Sequence, residues 1–334
     1  MTWNATIVGT GLGVPSKVVT NKDFEKMVDT SDEWIRTRTG ICERRFIDRD
    51  KGETLETIAL QAGKKALENA KTKPEDIDLI IFATTSPDTF MPNMSCRMTA
   101  SLGLVNAAAI DQNAACSGFV LGMHTADSFI RSGQYKNIMV IGGEALSSAL
   151  DMKDRSTCVL FGDGAGAAIV QAVENADLSK DSVILGSKFY AKADVKESLS
   201  MAGGGTRTPY WHEDFAKVGP YIRMQGQDVF KEATRGMVRA AKEVMAQCEV
   251  MPSDIKWFVP HQANLRIIEM VGKMLEIPSE KTYINLDRWG NTSAATVITC
   301  LAEMEEKNMI NKGDLVLMDV FGGGFSYGAL LARW

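Results

Sequence analysis

Hydrophobic positions along the chain alternate between two periods. Leu55, Ile58, Ala59, Ala62, Ala66 and Leu67 recur at helical spacing over 53–70. KTKPED then breaks the pattern, and IDLIIFATT at 77–85 is a compact apolar run of the kind that forms a strand. The same succession returns later. Val229, Phe230, Ala233, Met237, Ala240, Ala241 and Val244 predict a helix over 228–247, EVMPSD breaks it, and IKWFVP at 255–260 predicts a strand. Pro74, Asp76 and Ile77 recur as Pro252, Asp254 and Ile255, and Ala62 as Ala240, all at one offset, so the chain reads as an internal duplication.

Each half continues in kind. AAAIDQNAACSGFVLGMHTADSFI precedes the strand NIMVIGGEAL, and TYINLDRWGNTSAATVITCLAEM precedes DLVLMDVFGGGFSYGALLARW. In that reading Cys116 and Asn291 fall at matching places, each before an apolar, small-residue helix, and His261 follows the second-half strand directly. The expected architecture is α/β, with similar halves at 1–175 and 176–334 packed face to face and chemistry where their strand ends meet. Residues 191–220, rich in glycine and charge, predict a loop or insertion of a length that usually carries function.

Composition narrows the possibilities. Hydrophobic residues are 45% of the 334 and charged residues 24%, as in a globular chain. A net charge of −5 from 37 basic and 42 acidic residues gives no global attraction to nucleic acid or to an anionic membrane. No secretory signal pattern and no 18-residue apolar run is present, so the expected location is cytoplasmic and the six cysteines read as free thiols. Three histidines and no CxxC spacing argue against a metal centre.

Against that background, Cys116 in ACSG stands out. A thiol at a helix start feels the positive end of the helix dipole, which favours thiolate, and its small neighbours admit a substrate; the plain alternative is a core cysteine. His261 in PHQANLRI sits at a strand-to-helix junction, where a capping role is the competing reading. His124 reads as a packing residue in an apolar helix and His212 as a solvated one. Asn291 in WGNTSAA is a good helix N-cap, yet the duplication places it across from Cys116. Glycines 322–324 in FGGGFSYG leave backbone N–H groups bare, which suits either an oxyanion site or a tight turn. A thiol, two hydrogen-bond donors and an anion-stabilising backbone together fit acyl transfer.

These residues sit in a familiar set of motifs. DQNAACSGF, PHQANLRI, WGNTSAA and FGGGFSYG, with TSDEWIRTRTGICERR and FGDGAGA, resemble β-ketoacyl-acyl carrier protein synthase III from end to end. The resemblance implies a thiolase-like fold of two βαβαβ halves in five α-β-α-β-α layers, a homodimer, and no cofactor, acyl-CoA being a substrate. It implies that Cys116 takes an acyl group from acyl-CoA and that His261 and Asn291 stabilise the enolate formed when malonyl-acyl carrier protein loses CO₂, to give a 3-oxoacyl product that initiates fatty acid synthesis. Cys116 and Gly323 would supply the oxyanion N–H groups. Trp34 and Arg155 match a pair that sandwiches adenine, with Arg38 near the phosphates of CoA. Gly226, Phe230 and Asn264 match positions along the pantetheine channel, and Arg266 matches one that docks the carrier protein. Either Phe90 or Met91 would close the partner's acyl pocket. Cys42 stands where the TGIxERR motif usually has arginine. Two rivals remain at this stage: a relative that primes polyketide synthesis or joins two acyl chains, and a Cys-His-Asn hydrolase, which would need His261 to act as base on Cys116.

Overall fold

The computed structural model describes residues 2–334. The duplicated pattern folds into two mixed sheets. Residues up to 174 give β1 (Trp3–Gly13), α1 (Asp32–Thr39), α2 (Leu55–Ala70), β2 (Leu79–Ala83), α3 (Met94–Leu102), β3 (Ala108–Gln112), α4 (Gly118–Arg131), β4 (Asn137–Ala145) and β5 (Asp163–Glu174). Those after it give β6 (Val183–Ala191), α5 (Gly226–Gln247), β7 (Trp257–Pro260), α6 (Leu265–Met274), α7 (Thr296–Glu306), β8 (Leu315–Gly322) and β9 (Ser326–Arg333). One sheet runs β1-β5-β4-β2-β3 and the other β7-β8-β9-β6. In both, a parallel pair (β2 with β4, β7 with β8) is extended by two antiparallel strands. The sheets differ at the edge: β3 lies parallel beside β2, whereas β7 has only the isolated bridge of Phe258 to Thr282 there.

The layering follows from two-residue alternation along strands buried on both faces. Leu79, Ile81, Ile138, Val140, Val316 and Met318 face one shared core with Phe119, Val120 and Met123 of α4 and Val297, Ile298 and Leu301 of α7. Their neighbours Ile80, Phe82, Met139 and Ile141 face α2 instead, and Leu317 and Phe321 face α5. The order is therefore helix, sheet, helix pair, sheet, helix. Since α7 lies between two sheets, every residue from Thr296 to Met304 is buried, including its polar line Thr296, Thr299 and Glu303, whose side chains are hydrogen-bonded within the protein.

Boundaries differ modestly from the sequence expectation. Thr54 caps α2 by accepting from the Thr57 N–H, and the expected strand at 77–85 is trimmed to Leu79–Ala83 because Pro74–Asp76 forms a turn of 3₁₀ helix. The 191–220 stretch is largely irregular, but Leu199–Met201 pairs with Ile222–Met224 in a two-stranded ribbon.

Candidate active site

Two equivalent turns build the site. Ala115–Ser117 forms one turn of 3₁₀ helix leading into α4, and Ser293–Ala295 forms one leading into α7. Ala115 and Ser293 have φ of 47° and 48°, a left-handed conformation that costs a side-chain-bearing residue about 1 kcal/mol or more. Both turns are tied the same way: Asn113 Oδ1 accepts from the Ala115 N–H at 3.3 Å, and Asn291 Oδ1 accepts from the Ser293 N–H at 2.8 Å. The turns are separated by the same offset as Pro74 and Pro252. This corrects the expected pairing of Cys116 with Asn291, because the counterpart of Asn291 is Asn113 and that of Cys116 is Ala294.

Cys116 lies where two cavities meet. One, about 130 Å³, is lined by Cys116, His261 and Asn291 together with Gly226, Phe230 and Asn264. The other, about 250 Å³, also reaches Cys116 and is lined by Thr85, Leu146, Met201, Ile222, Ser293 and Gly323 among others. Gly322 ends β8 hard against the turn that carries Cys116; a Cβ there would stand 2.9 Å from the backbone nitrogens of Cys116 and Ser117. The Ser117 hydroxyl donates to Ser326 O and the Ser326 hydroxyl donates to Ala114 O, which pins the glycine hairpin to the turn.

Electrostatics in this enclosure are set by burial. Desolvation pushes the Cys116 thiol up to about 12; a hydrogen bond from Ser293 opposes that and the charge of Glu144 reinforces it. The α-helix proper begins only at Gly118, and desolvation is the largest influence on the thiol. His261 is pushed down to about 3 by desolvation, so it is neutral at physiological pH. Its Nδ1 lies 2.7 Å from the Thr296 hydroxyl, and its backbone N–H donates to Asp319 O. Asn291 spends its carbonyl oxygen on the Ser293 N–H, so its NH₂ is the group left for a ligand. A neutral thiol beside two neutral donors suits a reaction in which charge develops on oxygen only in the transition state.

At the surface, Ser31 and Gly40 cap the two ends of α1, and α1 presents Trp34 and Arg38. With Arg266 they line an open depression. Asn264 lines the first cavity and touches this rim: its Oδ1 caps α6 by accepting from the Arg266 N–H, and its Nδ2 donates to Arg38 O. The guanidinium of Arg266 donates to Thr37 O. Arg38 and Arg155 stand 4.9 and 5.1 Å from the centre of the Trp34 ring, and Arg155 also donates to Asp29 O. A base sandwiched between Trp34 and Arg155 needs two contacts of about 3.5 Å, so Arg155 must swing outward to admit one.

Other sequence candidates lie elsewhere. Phe90 and Met91 are more than 80% exposed and line neither cavity of their own chain. His124 is half-buried with Nδ1 2.7 Å from the Ser187 hydroxyl, so it is a hydrogen-bonded residue and not simply an apolar packing one. His212 sits in the 191–220 segment, where its ring nitrogen accepts from the Asp214 N–H. All six cysteines are free. Among the described residues there is no metal-ligating cluster and no helix long and apolar enough to cross a membrane. Sequence reasoning overlooked Ser293 and Glu144, although the signals were present: a serine inside WGNTSAA and an acidic residue inside the strand NIMVIGGEAL.

Comparison with known proteins places this arrangement. The family profile described as 3-oxoacyl-[acyl-carrier-protein (ACP)] synthase III matches residues 110–192, and its C-terminal counterpart matches 245–334. The β-ketoacyl-[acyl-carrier-protein] synthase III of Caldanaerobacter subterraneus subsp. tengcongensis is 48% identical over 330 residues, covering 99% of this chain and 98% of that one. The chain belongs to the β-ketoacyl-acyl carrier protein synthase III family. The crystal structure of the family member from Aquifex aeolicus superposes with a TM-score of 0.90 at 44% identity, over 99% of this chain and 100% of the other. The priming β-ketosynthase of the R1128 polyketide pathway superposes equally well, with a TM-score of 0.91 over 98% and 96%, but is 32% identical. Fold alone therefore does not separate the two activities; sequence identity favours the synthase III relatives.

Proposed function

We propose that the protein condenses an acyl group from acyl-CoA with malonyl-acyl carrier protein, releasing CO₂ and giving the 3-oxoacyl-carrier protein that starts fatty acid synthesis. The observation that carries this reading is the position of Cys116 between two cavities, with His261 and Asn291 in one of them. The thioester enters along Gly226, Phe230 and Asn264, and the acyl chain, once on sulfur, occupies the chamber beyond. The backbone N–H groups of Cys116 and Gly323 receive the tetrahedral oxyanion. After CoA leaves, malonyl-carrier protein uses the same tunnel, and its thioester oxygen takes hydrogen bonds from Asn291 Nδ2 and His261 as the carboxylate departs. A donor role requires neutral His261 to carry its proton on Nε2, for which Thr296 turns its hydroxyl proton from Ser293 O to Nδ1, 2.7 Å away. The enolate then attacks the acyl carbon and expels Cys116.

Trp34, Arg38 and Arg155 hold the nucleotide end of CoA, and Arg266 on the same rim meets the acidic carrier protein. Phe90 and Met91 reach a partner's acyl chamber across a homodimer. β3 is an uncovered sheet edge with Ile110 exposed, as a self-pairing surface requires. The protein works without a cofactor, in the cytoplasm. A hydrolase is disfavoured because the hydrogen bond of the His261 ring, at Nδ1, is with Thr296 and not with Cys116. The test is product analysis by mass spectrometry after mixing the protein with acetyl-CoA and malonyl-carrier protein. The reading expects 3-oxobutanoyl-carrier protein with one CO₂ per product; free acetate alone overturns it.

A further inference from the structure

The condensation leaves one buried group without a role. Glu144, near the end of β4, has no exposed surface. Its carboxyl takes hydrogen bonds from the Thr84, Thr85, Ser86 and Ser293 hydroxyls and from the Thr85 N–H, and no basic side chain is among these partners. A buried carboxyl without a countercharge is costly, and donors converging from several sides offset that cost. Thr84, Thr85 and Ser86 follow β2 in the first half, whereas Ser293 is the left-handed residue of the second turn. The carboxyl therefore ties the turn that follows Asn291 to the end of the first sheet.

The first turn lacks this tie, which makes it a control within the molecule. At the offset that relates Asn113 to Asn291, Ser293 corresponds to Ala115 and Glu144 to Gly322, so both ends of the clamp are missing there. The backbone is nearly the same in the two turns, with φ of 47° and 48°. The bond that each asparagine accepts differs: 2.8 Å from the Ser293 N–H to Asn291 Oδ1, against 3.3 Å from the Ala115 N–H to Asn113 Oδ1. Asn291 is buried and Asn113 exposed. A side-chain amide has an accepting end and a donating end, and the partner of its oxygen decides where the NH₂ points. The left-handed conformation is uncommon for a residue with a side chain, so the Ser293 N–H keeps its aim only where something holds that residue.

We propose that Ser293 and Glu144 are positioning residues for Asn291. The carboxyl holds the Ser293 hydroxyl, the Ser293 N–H holds Asn291 Oδ1, and the Asn291 NH₂ is thereby aimed at the enolate oxygen. Neither residue gives or takes a proton in this role. A donor preset in this way costs no reorganisation as charge develops, so the benefit falls on loss of CO₂ and not on transfer of the acyl group to Cys116.

The inference rests on Asn291 stabilising the enolate, and the experiment separates the two claims. Wild type, Ser293→Ala, Ser293→Gly, Glu144→Gln, Asn291→Ala and the double variant Ser293→Ala with Asn291→Ala are acetylated by acetyl-CoA, with acylation followed by intact-protein mass. CO₂ release is then measured over a range of malonyl-carrier protein concentrations. Alanine fits the backbone, because Ala115 holds the matching place, and glycine is unstrained at φ of 48° should the alanine variant fold poorly. Positioning expects kcat for CO₂ release to fall about tenfold in the Ser293 variants, with KM for malonyl-carrier protein and the rate of acylation within about threefold of wild type. Glu144→Gln, whose amide can accept from the Thr85 N–H and donate to the Ser293 oxygen, should lose less. The double variant should lose no more than Asn291→Ala alone, since the serine acts through the asparagine. CO₂ release within about threefold of wild type in both Ser293 variants overturns the positioning role, as does an equal loss of acylation and CO₂ release. A further loss of about tenfold in the double variant, or a larger loss in Glu144→Gln than in Ser293→Ala, also overturns it. Unchanged CO₂ release in Asn291→Ala overturns the enolate reading itself.

Discussion

The turns Asn113–Ser117 and Asn291–Ala295 are built to one plan and do different work. Each has an asparagine whose carbonyl oxygen holds an N–H two residues on, a left-handed residue, and one turn of 3₁₀ helix feeding a buried helix. In the first, the residue after the left-handed position is the proposed nucleophile Cys116; in the second it is Ala294, and the preceding asparagine is the one in the cavity with His261. Asn113 borders the other cavity instead. The comparison teaches that a duplicated backbone device supplied two platforms facing one centre, and that in the proposed reaction side-chain differences divide nucleophile from enolate stabiliser.

The sharpest way to break the comparison is to treat the two asparagines alike. Asn291→Ala should cut CO₂ release by about 10² to 10³, as loss of an oxyanion donor does, while Cys116 still takes acyl groups; His261→Ala should behave similarly. Asn113→Ala removes the same turn bond, so it should cost about 1 kcal/mol in urea unfolding but leave CO₂ release within about threefold. Equal kinetic losses at both positions would mean that the asparagines act only through the backbone.

A smaller effect is expected where the second half meets the first. Gly322→Ala places a methyl group against the backbone of Cys116 and Ser117, which has no flexible end to move. Destabilisation of about 1–3 kcal/mol and slower acylation should follow, and denaturant titration with mass-detected acylation checks both. An alanine variant as stable and as fast as wild type would mean that the hairpin does not set the turn.

The fold was legible because periodicity and duplication reinforce each other: the repeat of Pro74, Asp76 and Ile77 fixed the register in which both sheets form. The register at the site was legible only to within a few residues, because small-residue segments such as NAACSG and GNTSAA align equally well at neighbouring offsets. The burial that raises the Cys116 thiol was not legible, since a sequence shows a helix start but not the desolvation around it. Glu144 and Ser293 escaped notice because each is unremarkable alone and gains meaning only when β4 and the second turn meet.

At the rim, Trp34→Ala and Arg155→Ala should each raise KM for acyl-CoA about tenfold without changing the acylation rate at saturation, the sign of binding shared by ground and transition states. Initial-rate kinetics decide, and a fall in the saturated rate would move these residues into the chemistry. The smallest expected effect is thermodynamic. His261 has a folded-state pKa near 3, below its unfolded value, so the unfolded chain binds the extra proton and stability falls as pH drops below about 6.5. His261→Gln should remove that component, gaining about 1 kcal/mol relative to wild type between pH 7 and 5.5 in urea titrations. No relative gain would mean that the imidazole is accessible to protons in the fold.

The account's central claim is that Cys116, set between the two cavities, holds the acyl group between the half-reactions. Intact-protein and peptide mass spectrometry after acetyl-CoA, then after malonyl-carrier protein, tests this directly. The account predicts one acetyl group on the peptide containing Cys116, none in Cys116→Ser, and its disappearance with matching CO₂ release when malonyl-carrier protein is added. Acetyl on a different cysteine, or an acetyl-Cys116 that persists while 3-oxoacyl product accumulates, would contradict it.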